Sequence, residues 1–247
     1  MKFKRIIIII GIALYSMISI SFAQEMNRGV DFSFVVGLNI GATTPVPIPD
    51  ELDITRYNPK FNPKLGANLG YFFNEHWGIG TGLTIDWKGM NVHTKVDEVH
   101  LTVDVPNIGS LTGYVTGKNK TQVNTVYRTQ PIYGIYRFNP KWQVKLGIYM
   151  AEAVHRKFKG EVTDVDIFVE APLMVEREVP YATLDYSHNA RKFDLGLLAG
   201  GEFRLNEHIG FFADFTWAFI PYFSGEVPIH FTMRNIYFSA GVSYRLR

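Results

Sequence analysis

The sequence predicts an all-β fold: an eight-stranded antiparallel up-and-down transmembrane β-barrel with short periplasmic turns and long extracellular loops. Three observations predict it. Polarity alternates with period two along eight segments, the pattern of strands whose two faces meet different surroundings. The connections alternate between very short and long, which is the asymmetry of outer-membrane barrels. The 247-residue chain opens with an export leader, and no later apolar run is long enough for a membrane helix.

The leader comes first. Lys2, Lys4 and Arg5 precede an apolar run from Ile6 to Ile20. Ser21-Phe22-Ala23 then sets small residues on either side of Phe22, the layout of a cleavable signal. The expected division is a signal peptide over 1–23 and one barrel domain over 24–247. Gln24 stands where a lipid-anchored protein needs Cys. Three of the 25 basic residues leave with the leader and none of the 23 acids, so 22 bases face 23 acids in the remainder. The positive balance belongs to the leader and gives no reason to expect a nucleic-acid partner. There is no Cys, hence no disulfide framework.

The strands follow in order. Segment 31–42 sets Phe32, Phe34, Val36, Leu38 and Ile40 against Asp31, Ser33, Gly37 and Asn39. Segment 64–73 sets Leu65, Leu69, Tyr71 and Phe73 against Lys64, Gly66 and Asn68. Segment 77–88 sets Trp77, Ile79, Leu83, Ile85 and Trp87 against Gly78, Gly80, Asp86 and Lys88. Segment 126–138 is irregular. Arg128 and Gln130 assign its even positions to the polar face, although Ile132 and Tyr136 share them. Pro131 cannot donate to a ladder, which points to a bulge. Segment 142–151 opposes Trp142, Val144, Leu146 and Ile148 to Gln143, Lys145 and Gly147. Segment 193–205 opposes Phe193, Leu195 and Leu197 to Asp194, Gly196, Glu202 and Arg204. Segment 209–219 opposes Ile209, Phe211, Phe215, Trp217 and Phe219 to Gly210, Asp214 and Thr216. Segment 235–246 opposes Phe238, Val242 and Tyr244 to Asn235, Ser239 and Arg245.

Three turns are alike: Asn74-Glu75-His76, Asn139-Pro140-Lys141 and Asn206-Glu207-His208. The other connections, 43–63, 89–125, 152–192 and 220–234, are long. Alternation over Val99–Val105 and Val165–Val169 predicts that some hairpins continue as strands beyond the membrane.

Volume decides which face points outward. The interior of an eight-stranded barrel is only just wide enough for side chains. The face rich in Gly, Ser, Asn and charges fits that space, whereas Phe, Trp and Leu from every strand overfill it. The expected lumen holds a structural charge network of Asp31, Lys64, Asp86, Lys88, Arg128, Lys145, Asp194, Glu202, Arg204, Asp214 and Arg245. Near balance of sign suits a plug of paired charges better than a selective channel. The expected aromatic girdle has Tyr71, Phe73, Trp77, Phe138, Trp142 and Tyr244 near the short turns and Trp87, Trp217 and Phe219 toward the long loops.

The chain resembles the Bacteroidetes outer-membrane β-barrel family that includes PorT-like proteins. The resemblance is diffuse over nearly the whole mature chain. Its best local matches are Gln130-Pro131-Ile132-Tyr133-Gly134-Ile135-Tyr136-Arg137-Phe138 and Phe193-Asp194-Leu195-Gly196-Leu197-Leu198-Ala199-Gly200-Gly201. It implies an eight-stranded barrel in the outer membrane. Some family members assist protein secretion, and nothing in these loops carries that role over.

No catalytic motif is present, so no enzyme activity, metal or cofactor is expected. Glu152 and His155 are three apart, which on a regular strand places them on opposite faces and makes a poor ligand pair. Ser187 and His188 are neighbours in sequence, which does not make a nucleophile–base pair. The expected function is that of a non-enzymatic outer-membrane barrel. It meets membrane lipid on its wall, and its long loops contact a protein partner or ligand or support the cell envelope. Two alternatives stay open: an outer-membrane hydrolase or acyltransferase with a rim active site, and a soluble periplasmic ligand-binding barrel.

Overall fold

Ten strands, all antiparallel, appear in the computed structural model, which describes residues 29–48, 52–106, 108–169, 175–225 and 232–246. The expected signal peptide lies outside the described residues. The strands are β1 (Gly29–Pro45), β2 (Leu52–Pro59), β3 (Pro63–Phe72), β4 (Trp77–Val105), β5 (Gly109–Asn139), β6 (Trp142–Val169), β7 (Val175–Asp185), β8 (Phe193–Arg204), β9 (Ile209–Ala218) and β10 (Met233–Leu246).

Eight of them close a ring. β1 pairs β3, β3 pairs β4, β4 pairs β5, and β5 pairs β6. β6 then pairs β8, β8 pairs β9, β9 pairs β10, and β10 returns to β1 from Phe32↔Leu246 to Pro45↔Met233. Closure leaves the barrel no open edge, which hydrocarbon would not tolerate. The apolar face of these strands points outward: Phe34, Ile40, Leu69, Leu83, Leu146, Phe215 and Phe238 are all exposed. Ser33, Asn39, Lys64, Thr84, Asp86, Asp214 and Ser239 are buried inside. A soluble ligand-binding barrel needs the reverse.

The short turns bring successive strands back by one device. Asn74 Oδ1 accepts from the backbone N–H groups of His76 and Trp77 at 2.9 and 2.8 Å. Asn139 does the same for Lys141 and Trp142, and Asn206 for His208 and Ile209. An Asn side chain replaces the strand partner the reversing backbone has lost.

β4, β5 and β6 do not stop at the barrel. Segments expected as long loops over 89–125 and 152–192 are largely strand, because the β4–β5 ladder runs unbroken in direction to Val105↔Gly109. β7 pairs the far half of β6, and Asp104↔Thr183 joins β7 to β4. These four strands therefore close a second, smaller ring, here termed the turret. β2 lies along β4 at its foot, from Leu52↔Val96 to Pro59↔Met90.

Bulges let the same strands serve both rings. In β4 the inward residues of the barrel are even-numbered. Between Val96 and Val99 the register shifts, with Glu98 at φ 50°, and Val99, Leu101, Val103 and Val105 turn inward. β6 shifts opposite Val126/Tyr127, turning Phe158 and Val162 inward, and again near Asp164 (φ 53°), turning Val165, Ile167 and Val169 inward. An extra residue flips every side chain beyond it to the other face.

The fourth ring strand, β5, corrects the expected parity. Its odd positions face inward: Tyr127, Thr129, Pro131, Tyr133 and Ile135 are buried. Arg128 therefore stands on the outer wall, paired with Glu152, and both side chains are more than half exposed. The polar cue from Arg128 and Gln130 misled because the tyrosines carry the hydroxyls that the lumen uses. Pro131 causes no register shift. Thr81 Oγ1 donates to its carbonyl at 2.8 Å, and the pairing resumes in register at Thr84↔Thr129.

Candidate functional site

The lumen is filled in three tiers. At the turn end, Asp31 faces three guanidinium groups: Arg245 at 2.6 Å, Arg204 at 3.0 Å and Arg137 at 3.9 Å. Glu202 lies 3.7 Å from Arg245, and Gln143 accepts from Arg204 at 2.7 Å. The strand register delivers the arginines. Arg137, Arg204 and Arg245 each donate a backbone N–H, at 2.7 Å, to the carbonyl of His76, Lys141 and His208 in the adjacent turn. The Arg137 guanidinium also lies over the Phe72 ring, 3.7 Å from its centroid.

The middle tier pairs Lys145 with Asp214 at 2.9 Å and Lys64 with Asp86 at 3.3 Å. Thr84 donates to Asp86 at 2.7 Å, and Asn39 bridges to Asp86 and Ser239. In the upper tier, Asp194 accepts from Tyr149 at 3.0 Å and from Asn235 at 2.9 Å. Asn235 also touches Tyr127 and Thr43. The Lys88 ammonium sits among three rings, 4.9 Å from Tyr149, 5.3 Å from Tyr237 and 5.4 Å from Tyr127, with π-faces supplying negative potential.

Of the expected network, Asp31, Lys64, Asp86, Lys88, Lys145, Asp194, Glu202, Arg204, Asp214 and Arg245 line the interior, and Arg128 does not. Sequence reasoning missed Arg137. The repeated turn held the signal, since Arg137 and Arg204 both stand two residues before the turn Asn. Among the described residues the lumen includes a cavity of about 20 Å³ beside Lys64, Asp86 and Lys145 and another of about 30 Å³ beside Asp31, Glu202 and Arg245. Each has room for roughly one water.

Above the lumen stands an apolar core. Val103, Val115, Val162, Val165, Ile167 and Ala182 are fully buried in the turret, and Phe158, Tyr186, Tyr222, Phe223 and Met233 join them. Tyr186 pins the ring by donating to the Thr102 carbonyl at 2.9 Å and accepting from its N–H. Arg156 turns inward to the Ala190 carbonyl. At the turret edge, Lys159 lies 2.8 Å from Asp185. Burial raises the Asp185 carboxyl, but hydrogen bonds from Lys159 and Ser187 outweigh it and hold the group at about 2.

The expected girdle residues lie on the outer wall. Tyr71, Phe73, Trp77, Phe138, Trp142 and Tyr244 ring the turn end, while Trp217 and Phe219 lie toward the turret and Trp87 is half-buried at its foot. Tyr136 joins the turn-end ring against Trp77, and His76 and His208 stack on Tyr136 and Tyr244. The Ser187 hydroxyl is engaged by the Phe158 backbone at 3.0 and 3.4 Å. Glu152 and His155 share the outer face, because the β6 bulge lies between them. Among the described residues, no three His, Cys, Asp or Glu side chains gather as metal ligands.

Residues 22–224 match the family model described as outer membrane protein beta-barrel domain. Comparison with curated proteins gives no match. Among solved structures, Ail, the attachment invasion locus protein of Yersinia pestis, is 12% identical, with 90% of this chain and 100% of that chain covered and a TM-score of 0.36. Neisserial surface protein A is 12% identical, with 90% and 100% covered and a TM-score of 0.33. OprG from Pseudomonas aeruginosa is 12% identical, with 89% and 97% covered and a TM-score of 0.32.

Proposed function

Because this chain belongs to the outer membrane protein β-barrel family, we propose that it is a non-enzymatic outer-membrane barrel whose lumen is a plug and whose turret stands outside the cell as a rigid platform for a partner. One observation carries the reading: wall and interior exchange polarity along the same three strands. On β4 the outward residues are Ile79, Leu83, Ile85 and Trp87, then Asn91, His93 and Lys95. Inward, Thr84, Asp86 and Lys88 give way to Met90, Val96, Val99 and Leu101. The lower section is built for hydrocarbon outside and a polar filling, and the upper section for water outside and an apolar filling.

The long-hairpin end is assigned to the cell exterior because outer-membrane barrels keep their short turns in the periplasm. The leader over 1–23 supports export and cleavage. A PorT-like assignment, with support of secretion or the cell envelope, rests on the strands 130–138 and 193–201. The enzyme reading has less support, since the Ser187 hydroxyl serves the Phe158 backbone. Planar-bilayer recording on the purified full chain tests the plug. The expected outcome is a silent membrane, and steady ohmic steps would overturn it.

A further inference from the structure

The outer wall at the foot of the turret carries a basic cradle. Lys60 lies over Gly89, where the missing side chain leaves it room: a Cβ on Gly89 would stand 3.4 Å from Lys60 Cδ. From there the ammonium reaches across β4 and donates to the Val123 carbonyl on β5 at 3.1 Å. Gly89 pairs Asn124, and Asn124 pairs Lys157 on β6. Pro59 pairs Met90, which sets Lys60 beside Gly89, so the Lys60 and Lys157 backbones stand about three strand spacings (~14 Å) apart, and the Lys60 side chain reaches toward Lys157 across β4 with the polar Asn124 between them. Neither has a carboxylate within 4 Å among the described residues, whereas nearby Lys159 is neutralised by Asp185. Burial, and then repulsion from Lys157, push the Lys60 ammonium below its usual range.

The height of this cradle identifies its counter-ion. The row directly beneath it is Trp87↔Val126, the upper limit of the apolar wall, and the row above is Asn91↔Gln122. The two lysines, neither paired with a carboxylate among the described residues, therefore stand on the outer wall at the depth of lipid headgroups. We propose that Lys60 and Lys157, with the Asn124 amide between them, bind the phosphate of a phosphorylated lipid in the outer leaflet. Two lysines flanking one amide on the same wall hold a doubly charged phosphate, and the anion relieves their repulsion. This rests on the outward orientation of the turret.

The full chain in phosphatidylcholine nanodiscs doped with bis-phosphorylated lipid A, followed by native mass spectrometry, tests it. Retention of lipid A over its dephosphorylated form is expected. Lys60→Gln and Lys157→Gln should each lower retention about fivefold, and the double variant more than tenfold. Lys118→Gln, on the same sheet face but paired with Asp164 at 2.7 Å, should leave it unchanged. Unchanged heat-modifiable gel mobility is the check that the variants fold. Equal retention of the dephosphorylated lipid, or a double variant within twofold of the parent, overturns the site. Nanodiscs expose both barrel ends, so that result is independent of orientation. Protease shaving of intact cells reads orientation alone: a digested turret supports it, and a protected one overturns it.

Discussion

Asp31 is a single carboxylate facing Arg137, Arg204 and Arg245, with Glu202 the one other acid in that tier among the described residues. Its side chain is 17% exposed, so little water compensates if the charge goes. Breaking a buried ion pair from one side costs about 3–5 kcal/mol, since the partner charges stay behind. Asp31→Asn should lower barrel stability by that amount in urea titrations followed by tryptophan fluorescence in vesicles. A loss below about 1 kcal/mol would show that Glu202 holds the arginines unaided. At this scale the sequence was partly legible. Ten lumen charges follow from strict alternation, but Arg137 shares a strand with Tyr127, Tyr133 and Ile135, whose bulk hides which face is inner. Tyr fits either solvent: its ring suits a lipid boundary, and its hydroxyl suits a polar lumen.

The turret is the element that alternation foretold only in fragments. Val99–Val105 and Val165–Val169 read as strands, yet their closure with β7 through Asp104↔Thr183 has no local signal. The turret core and the cluster of Phe72, Tyr127, Tyr133, Ile135 and Tyr149 in the lumen are separate. Damage to one should therefore spare the other. Ile167→Ala, at a fully buried position, should cost about 2–5 kcal/mol within the turret. Limited proteolysis should then cut within 99–185, while heat-modifiable gel mobility still reports a closed barrel. Simultaneous loss of both would mean the two rings fold as one unit.

Over the whole molecule, the wall reports which solvent each section meets. Leu83 is 48% exposed on the apolar band of β4. Leu83→Arg should cost ~2–4 kcal/mol in lipid, the penalty for a cation near mid-membrane, read from the urea midpoint of vesicle-bound protein. A negligible change would place that band in water. The balance of five acids against six bases in the lumen sets the interior apart from the outer wall, where Arg128 and Glu152 pair beside hydrocarbon. At that position, just below the Trp87 row, long side chains can carry their charges toward the headgroups.

The sequence by itself determined the all-β class, the eight ring strands, the three Asn turns and the outward direction of the bulky face. All of these depend on residues adjacent or alternating in the chain, and on whether a given volume fits an eight-stranded interior. Tertiary structure alone decided the β5 parity, the three-arginine tier, the second ring and the Lys60–Lys157 cradle. Each depends on bulges that shift a face by one residue, or on side chains from distant strands meeting across a ladder. A single extra residue in β4 or β6 reverses inside and outside for everything beyond it, and its position is set by partners that local periodicity does not contain.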